Sequence, residues 1–107
     1  MTDRELLEMA AKAAGLKHNG SSGDRGLHIG LGDPDYDSGW WNPLTDSGDA
    51  IRLSVTLCIS IRHRTVYVDA FRGNVSASEY VPTYKDADKA ALRAIVRCAA
   101  AIGKAMP

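Results

Sequence analysis

Arginine and tryptophan are the side chains whose spacing in this 107-residue chain points to a chemistry. Lys89, Arg93 and Arg97 recur every four residues in the closing segment, so on a helix they form one stripe. No Glu lies beside them to neutralise it. Arg52, Arg62, Arg64 and Arg72 make a second basic group around a predicted hairpin. A guanidinium matches phosphate geometry with two parallel hydrogen bonds, so both groups suit a phosphate-bearing ligand. Trp40 and Trp41 are adjacent, and neighbours on extended backbone point to opposite faces. Two readings follow: both are core anchors of a small domain, or one packs inside while the other lies near the surface, where an indole offers a stacking platform. Tyr67 is a further stacking candidate. Three readings of the charge compete: a solvated helix face, self-association between acidic and basic faces, and a phosphate-bearing ligand. For the ligand reading, the candidate residues are Trp41, Arg52, Arg93 and Arg97.

Other constellations fall short of a site. Asp33, Asp35 and Asp37 open like a calcium loop, but the sixth position is Ser38 rather than Gly and the twelfth is Leu44 rather than an acid. An acidic turn explains the segment instead. Asp46 and Asp49 fit a helix start, where capping and the helix dipole favour carboxylates. His18, His28 and His63 are scattered and give no paired metal-ligand spacing. The chain contains neither a Gly-x-Ser-x-Gly elbow nor a glycine-rich phosphate loop. With no nucleophile–base pair to name, binding is expected rather than catalysis, with no metal or cofactor. Cys58 and Cys98 each sit in an apolar segment 40 residues apart, and both are expected to be reduced and buried.

Composition sets the frame for these residues. The chain has 13 Lys plus Arg against 13 Asp plus Glu, 45% apolar and 24% charged residues. Those are the proportions of a single globular domain, 1–107, and not of a disordered chain. No apolar run approaches the roughly 18 residues of a membrane span. The N-terminus opens acidic rather than with a signal-peptide layout, so a cytoplasmic location is expected. Zero net charge argues against an extended nucleic-acid coat. The charge is nevertheless uneven: residues 33–49 hold five Asp and no Lys or Arg.

The elements that must position these side chains follow from periodicity. Thr2 and Glu5 have capping-box spacing, Leu6, Leu7, Ala10, Ala13 and Ala14 fall on one helical face, and Gly15 marks the stop. Residues 18–26, rich in Gly and Ser, read as a loop or a wide hairpin turn. Leu27, Ile29 and Leu31 alternate as a short strand. The central stretch carries two signals. Ile51 to Ile61 alternates as one strand would, but Pro43, Thr45, Asp46, Ser47 and Asp49 form a helix start. A helix over 46–57 is preferred, with Ala50, Ile51, Ser54, Leu57 and Cys58 on its apolar face. A strand near 58–62, a turn at 63–65 and a returning strand at 66–70 would follow. A single strand through 51–61 is the alternative. Val75–Val81 reads as an edge strand ended by Pro82. Residues 86–104 read as a helix with Leu92, Ile95, Val96, Ala99 and Ile102 on one face. The predicted fold is α+β: a small antiparallel sheet of three to four strands with N-terminal, central and C-terminal helices packed on it.

The segments ELLEMAAKAAGL, WNPLTDSGDAIRLSVTL and KAALRAIVRCAAAIGKAM, in that order, resemble a family of small tailed-phage accessory proteins. More distantly they are similar to the NinX-like phage proteins. WNPLTDSGDAIRL is the most specific part, and the resemblance favours helix over strand for 46–57. The family has no settled activity, so the resemblance implies a phage context and a dispensable or host-directed role. Together with the arginines and aromatics, it leads to an expected counter-defence function in the host cytoplasm, by sequestering a nucleotide immune signal such as a cyclic oligonucleotide or an ADP-ribose derivative. Such a site would lie between subunits of a homo-oligomer. The alternatives are inhibition of a host defence protein through an aromatic anchor and, more weakly, nucleic-acid binding.

Overall fold

Thr2 caps the first helix as its spacing predicts. Its hydroxyl accepts from the Glu5 N–H at 3.2 Å, and the Glu5 carboxylate reaches back to the Thr2 N–H at 3.5 Å. The helix, α1, runs Asp3–Ala14 and ends at a left-handed Gly15. It buries Leu6, Leu7, Ala10 and Ala11, while Arg4 and Glu8 pair at 2.8 Å on its outer side. The computed structural model describes residues 2–16, 18–23, 26–29, 40–84 and 86–107. The aspartate-rich turn 33–39 and Leu31 lie outside them.

Among the described residues three α-helices and two antiparallel sheets make an α+β fold, as predicted, but the strands divide into two sheets of three rather than forming one. The first sheet joins β1 (His18–Gly23), β2 (Gly26–Ile29) and β3 (Trp40–Trp41), in that order. The segment expected to be a loop or wide turn is therefore mostly strand. Its backbone pairs with β2 through an irregular register, from His18 opposite Ile29 to Gly23 opposite Gly26. Backbone pairing needs no particular side chain, so a Gly/Ser-rich strand leaves little trace in composition.

The central helix, α2, spans Ser47–Leu57, and the helix start prevails over the alternation. The Asp46 carboxylate accepts from the Asp49 N–H at 2.9 Å, and the Ala50 N–H donates to the Asp46 carbonyl at 3.1 Å. Ala50, Leu53, Ser54 and Leu57 are buried, but Ile51 and Val55 are 59% and 71% exposed. The expected apolar face was thus rotated: Ile51 lies outside it. Cys58 is also exposed, because it caps the helix in the left-handed region (φ 55°) and turns its side chain out of the core. Cys98 is buried as expected, and burial pushes its thiol pKa up.

The second sheet follows: β4 (Ser60–His63), β5 (Tyr67–Arg72) and β6 (Val75–Tyr80), paired in that order. Pro82 falls in a short 3₁₀ turn, Val81–Thr83, which closes the edge strand. The last helix, α3, runs Ala87–Ala105, and the Asp86 side chain accepts from the Lys89 N–H at 2.8 Å. It is buried on more than the one predicted face: Ala90, Ala94, Ile95, Val96, Cys98, Ala99, Ala100 and Gly103 all lie inside. The reason is its place in the fold. α3 packs against β5 and β6 on one side and against α1 and α2 on the other. Alanine lets backbones approach closely from both directions while losing no side-chain entropy. No helix among the described residues is long and apolar enough to cross a membrane.

Candidate functional site

The four residues singled out for phosphate and base contact do not converge on one pocket. Trp41 is 0% exposed and sits on β3 opposite Leu27, so it is a core anchor and no ligand reaches its ring. Trp40 is half-buried, so the adjacent pair divides as the extended geometry requires. Arg52 pairs with the buried Asp49 at 2.8 Å, and the other Asp49 oxygen accepts from the Asn42 N–H at 2.9 Å. These bonds tie the Trp-Trp-Asn-Pro turn to the start of α2. Arg93 and Arg97 share a face of α3, yet each is engaged. Arg93 donates to Asp3 at 3.0 Å, pinning α1 to α3. Arg97 donates to Glu79, which also accepts from the Tyr84 hydroxyl at 2.9 Å. Burial and the Glu79 carboxylate push the Tyr84 phenol above its ordinary range. Arg93 does line a groove of about 320 Å³, together with Leu44, Tyr84, Lys89 and Leu92.

Arg62 and Arg64, from the second arginine group, form the more organised site, apart from Arg52 on α2. Residues on a strand alternate between faces, and the register of β4, β5 and β6 stacks three rows on the side of the sheet away from α3. The middle row is Arg62, Asp69 and Ser78, and below it lie Ser60, Phe71 and Ser76. Above it, Tyr67 pairs with Tyr80, and the Arg64 N–H donates to the Tyr67 carbonyl at 2.8 Å. A groove of about 300 Å³ runs across the middle and lower rows, lined by Arg62, Arg64, Asp69, Phe71, Gly73, Ser76 and Ser78.

Asp69 organises the face. It is only 4% exposed although it lies on the outer side, because its neighbours cover it. Arg62 donates to Oδ2 through Nε and Nη2, at 3.1 and 2.9 Å. Arg64 reaches the same carboxylate, Nη2 donating to Oδ1 at 3.0 Å and Nε standing 2.9 Å from Oδ2. The Ser78 hydroxyl donates to Oδ1 at 2.7 Å. One carboxylate thus holds two guanidinium groups, leaving the cluster one positive charge in excess. The same bonds set the arginines over aromatic rings: Arg62 lies 5.7 Å from the Phe71 centroid and Arg64 4.9 Å from that of Tyr67. Tyr67 in turn meets Tyr80 at 5.3 Å, tilted by 58°. A guanidinium carries five donors, and Nη1 of both arginines has no partner among the described residues.

Hydrogen bonds from Ser78, Arg64 and Arg62 outweigh the opposing effect of burial and hold the Asp69 pKa down to about 2, from an ordinary 3.8. A carboxylate whose pKa falls on folding stabilises the folded state above its unfolded pKa. That contribution disappears as pH drops through the folded value. The Asp69→Asn protein is therefore expected to melt below the parent near neutral pH, with the gap closing between about pH 4 and pH 2. Thermal melts across that range check this, and a gap that persists at pH 2 would show that the charge of Asp69 is not what holds the face.

Chemically, the face offers cationic donors beside ring-backed planar surfaces, flanked by the hydroxyls of Ser60 and Ser76. Among the described residues no group of His, Cys, Asp and Glu is arranged to hold a metal ion. Sequence reasoning noted Arg62, Arg64 and Tyr67 but not Asp69 or Phe71. The alternation Tyr67, Asp69, Phe71 against Ser60, Arg62, Arg64 is the signal that places them together. Comparisons with family models, with curated proteins and with solved structures return no match to this chain, so the reading of the face rests on its own chemistry.

Proposed function

We propose that this protein acts by binding a nucleotide on the outer face of β4–β5–β6, Arg62 and Arg64 taking the phosphate and the ring-backed guanidinium planes or Tyr80 taking the base. The observation that carries this reading is the pair of arginines held by one buried carboxylate over Phe71 and Tyr67. Phosphate recognition wants guanidinium donors in a fixed fork, and a base stacks on aromatic or guanidinium planes. Asp69 supplies the fixing, so little arginine rotamer freedom remains to be lost on binding. The hydroxyl–carboxylate pair on the face, Ser78 with Asp69, has its carboxylate bonded to two guanidinium groups and held near a pKa of about 2, which makes it a poor base and fits capture rather than turnover. Capture without turnover is what sequestering a nucleotide immune signal requires, and we retain that counter-defence role, in a phage context, as the biological setting of the activity. Arg93 and Arg97, expected to be ligand contacts, act in this reading as links between elements.

The test is nuclear magnetic resonance titration with nucleoside monophosphates and the corresponding nucleosides. Expected are shifts confined to the rows around Tyr67, Asp69 and Phe71, at least tenfold weaker with nucleosides and lost in Arg62→Ala/Arg64→Ala. Shifts centred on Arg93 and Lys89 would move the site to the α3 groove. Absence of any response would favour the second reading, in which the same tyrosines and arginines anchor a partner protein. Both residue types are prominent among those that dominate protein interfaces.

A further inference from the structure

The outer face has two ring platforms, not one, and their separation speaks to the length of the ligand. Tyr67 and Phe71 are four residues apart on β5, which at about 3.3 Å per residue places them roughly 13 Å apart. Arg62, Asp69 and Ser78 lie between them. A stacked strand advances only about 3.4 Å per nucleotide. Bases seated at the two platforms are therefore not stacked on one another, and a mononucleotide cannot reach both. We infer that the ligand of this face is a single-stranded oligonucleotide lying along β5, one base splayed onto Tyr80 beside the Arg64-covered Tyr67 and another onto the part of Phe71 that lines the groove beside Arg62, with linking phosphate over Arg62 and Arg64.

This rests on the reading of the face as a nucleotide site and extends it to a strand. Three features argue for the strand. The cations are central and the rings peripheral, as a backbone with outward-turned bases requires. Serines on both sides of Phe71 are small, so its ring edge stays open, and their hydroxyls are within reach of a base or sugar. The residues at both ends of the rows are also exposed, Tyr67 and Tyr80 at one and Ser60 and Ser76 at the other, so the rows are not capped as around a small molecule. The single excess charge of the cluster implies that stacking contributes much of the affinity. With at most two phosphates neutralised, the slope of log K against log salt is about −1.4, a loss of roughly sevenfold between 50 and 200 mM salt.

Competition binding with thymidylate oligomers of one to six nucleotides tests the inference. Affinity is expected to rise at least about fivefold from thymidine monophosphate to the tetranucleotide, the value of one added stacked base, and then to level off. A duplex of the same length should bind at least tenfold more weakly than the single strand. In Phe71→Ala the gain with length is expected to fall to about twofold or less, since only one platform remains. Should that variant fold poorly, Ser76→Asp, which sets a carboxylate beside Phe71 on an exposed position, is expected to reduce the same gain. Monomer and tetramer binding equally would overturn the strand while leaving the nucleotide site standing, as would a duplex binding as well as the single strand. If neither the monomer nor any oligomer binds, the nucleotide reading itself is overturned.

Discussion

Replacing Gly103 by alanine is expected to lower the melting temperature by roughly 10 °C, although the same change in an exposed helix interior stabilises by about 1 kcal/mol. The sign reverses because of what a methyl group would meet. A Cβ at position 103 would collide with the Met9 carbonyl oxygen and stand 2.9 Å from its carbon and 3.3 Å from the Ala13 nitrogen. All three are backbone atoms of α1, so no side-chain rotation relieves the clash, and α1 must move away from α3 as a body. That movement loosens Ala10 and Ala11, which are fully buried, and strains the Arg93–Asp3 bond. Overpacking of this kind costs about 1–3 kcal/mol and occasionally more. In a domain of this size each kcal/mol moves the midpoint by about 4–8 °C. Circular dichroism melts of the two proteins decide the matter. A Gly103→Ala protein as stable as its parent would mean that α1 and α3 are not in backbone contact there.

Gly103 also illustrates what could and could not be read in the chain. Helix ends were legible because capping is local: Thr2 with Glu5, Asp46 with Asp49 and Asp86 with Lys89 all bond within three residues. A glycine near the end of an alanine-rich helix gives no local sign that another helix crosses at it. Period failed in α2 for a related reason. Ile51 and Val55 keep the alternation of a strand but lie exposed, so an apolar residue did not mark the buried face. The division of the strands into two sheets was not legible, because pairing is decided between segments distant in the chain. The candidate site was half legible. Arg62, Arg64 and Tyr67 attracted notice by residue type. Asp69, which holds them together, reads in isolation as an acidic residue inside a strand, and only the hairpin register brings it between the arginines. The partners of Arg93 and Arg97 were not legible, since the carboxylates that engage them, Asp3 and Glu79, lie 90 and 18 residues away.

Trp41→Ala is expected to cost about 3–5 kcal/mol, a large share of the 5–15 kcal/mol that holds a small domain together. The indole is among the largest side chains wholly removed from solvent, and β3, only two residues long, has little else with which to hold its place. Trp41→Phe should cost far less. The indole N–H is buried with no hydrogen-bond partner among the described residues, and an unsatisfied buried donor carries a penalty of about 1–3 kcal/mol that phenylalanine does not share. Urea denaturation of the two variants, compared through their midpoints at constant slope, measures the difference. The phenylalanine variant also separates the two roles this residue has been assigned. Trp41 belongs to the first sheet and the core, whereas the rings proposed to stack a base belong to the second sheet. Folded Trp41→Phe protein should therefore bind thymidylate oligomers as the parent does. Weakened binding in a variant of normal stability would place the ligand near β3, and with it would fall the assignment of the site to the outer face of β4–β5–β6.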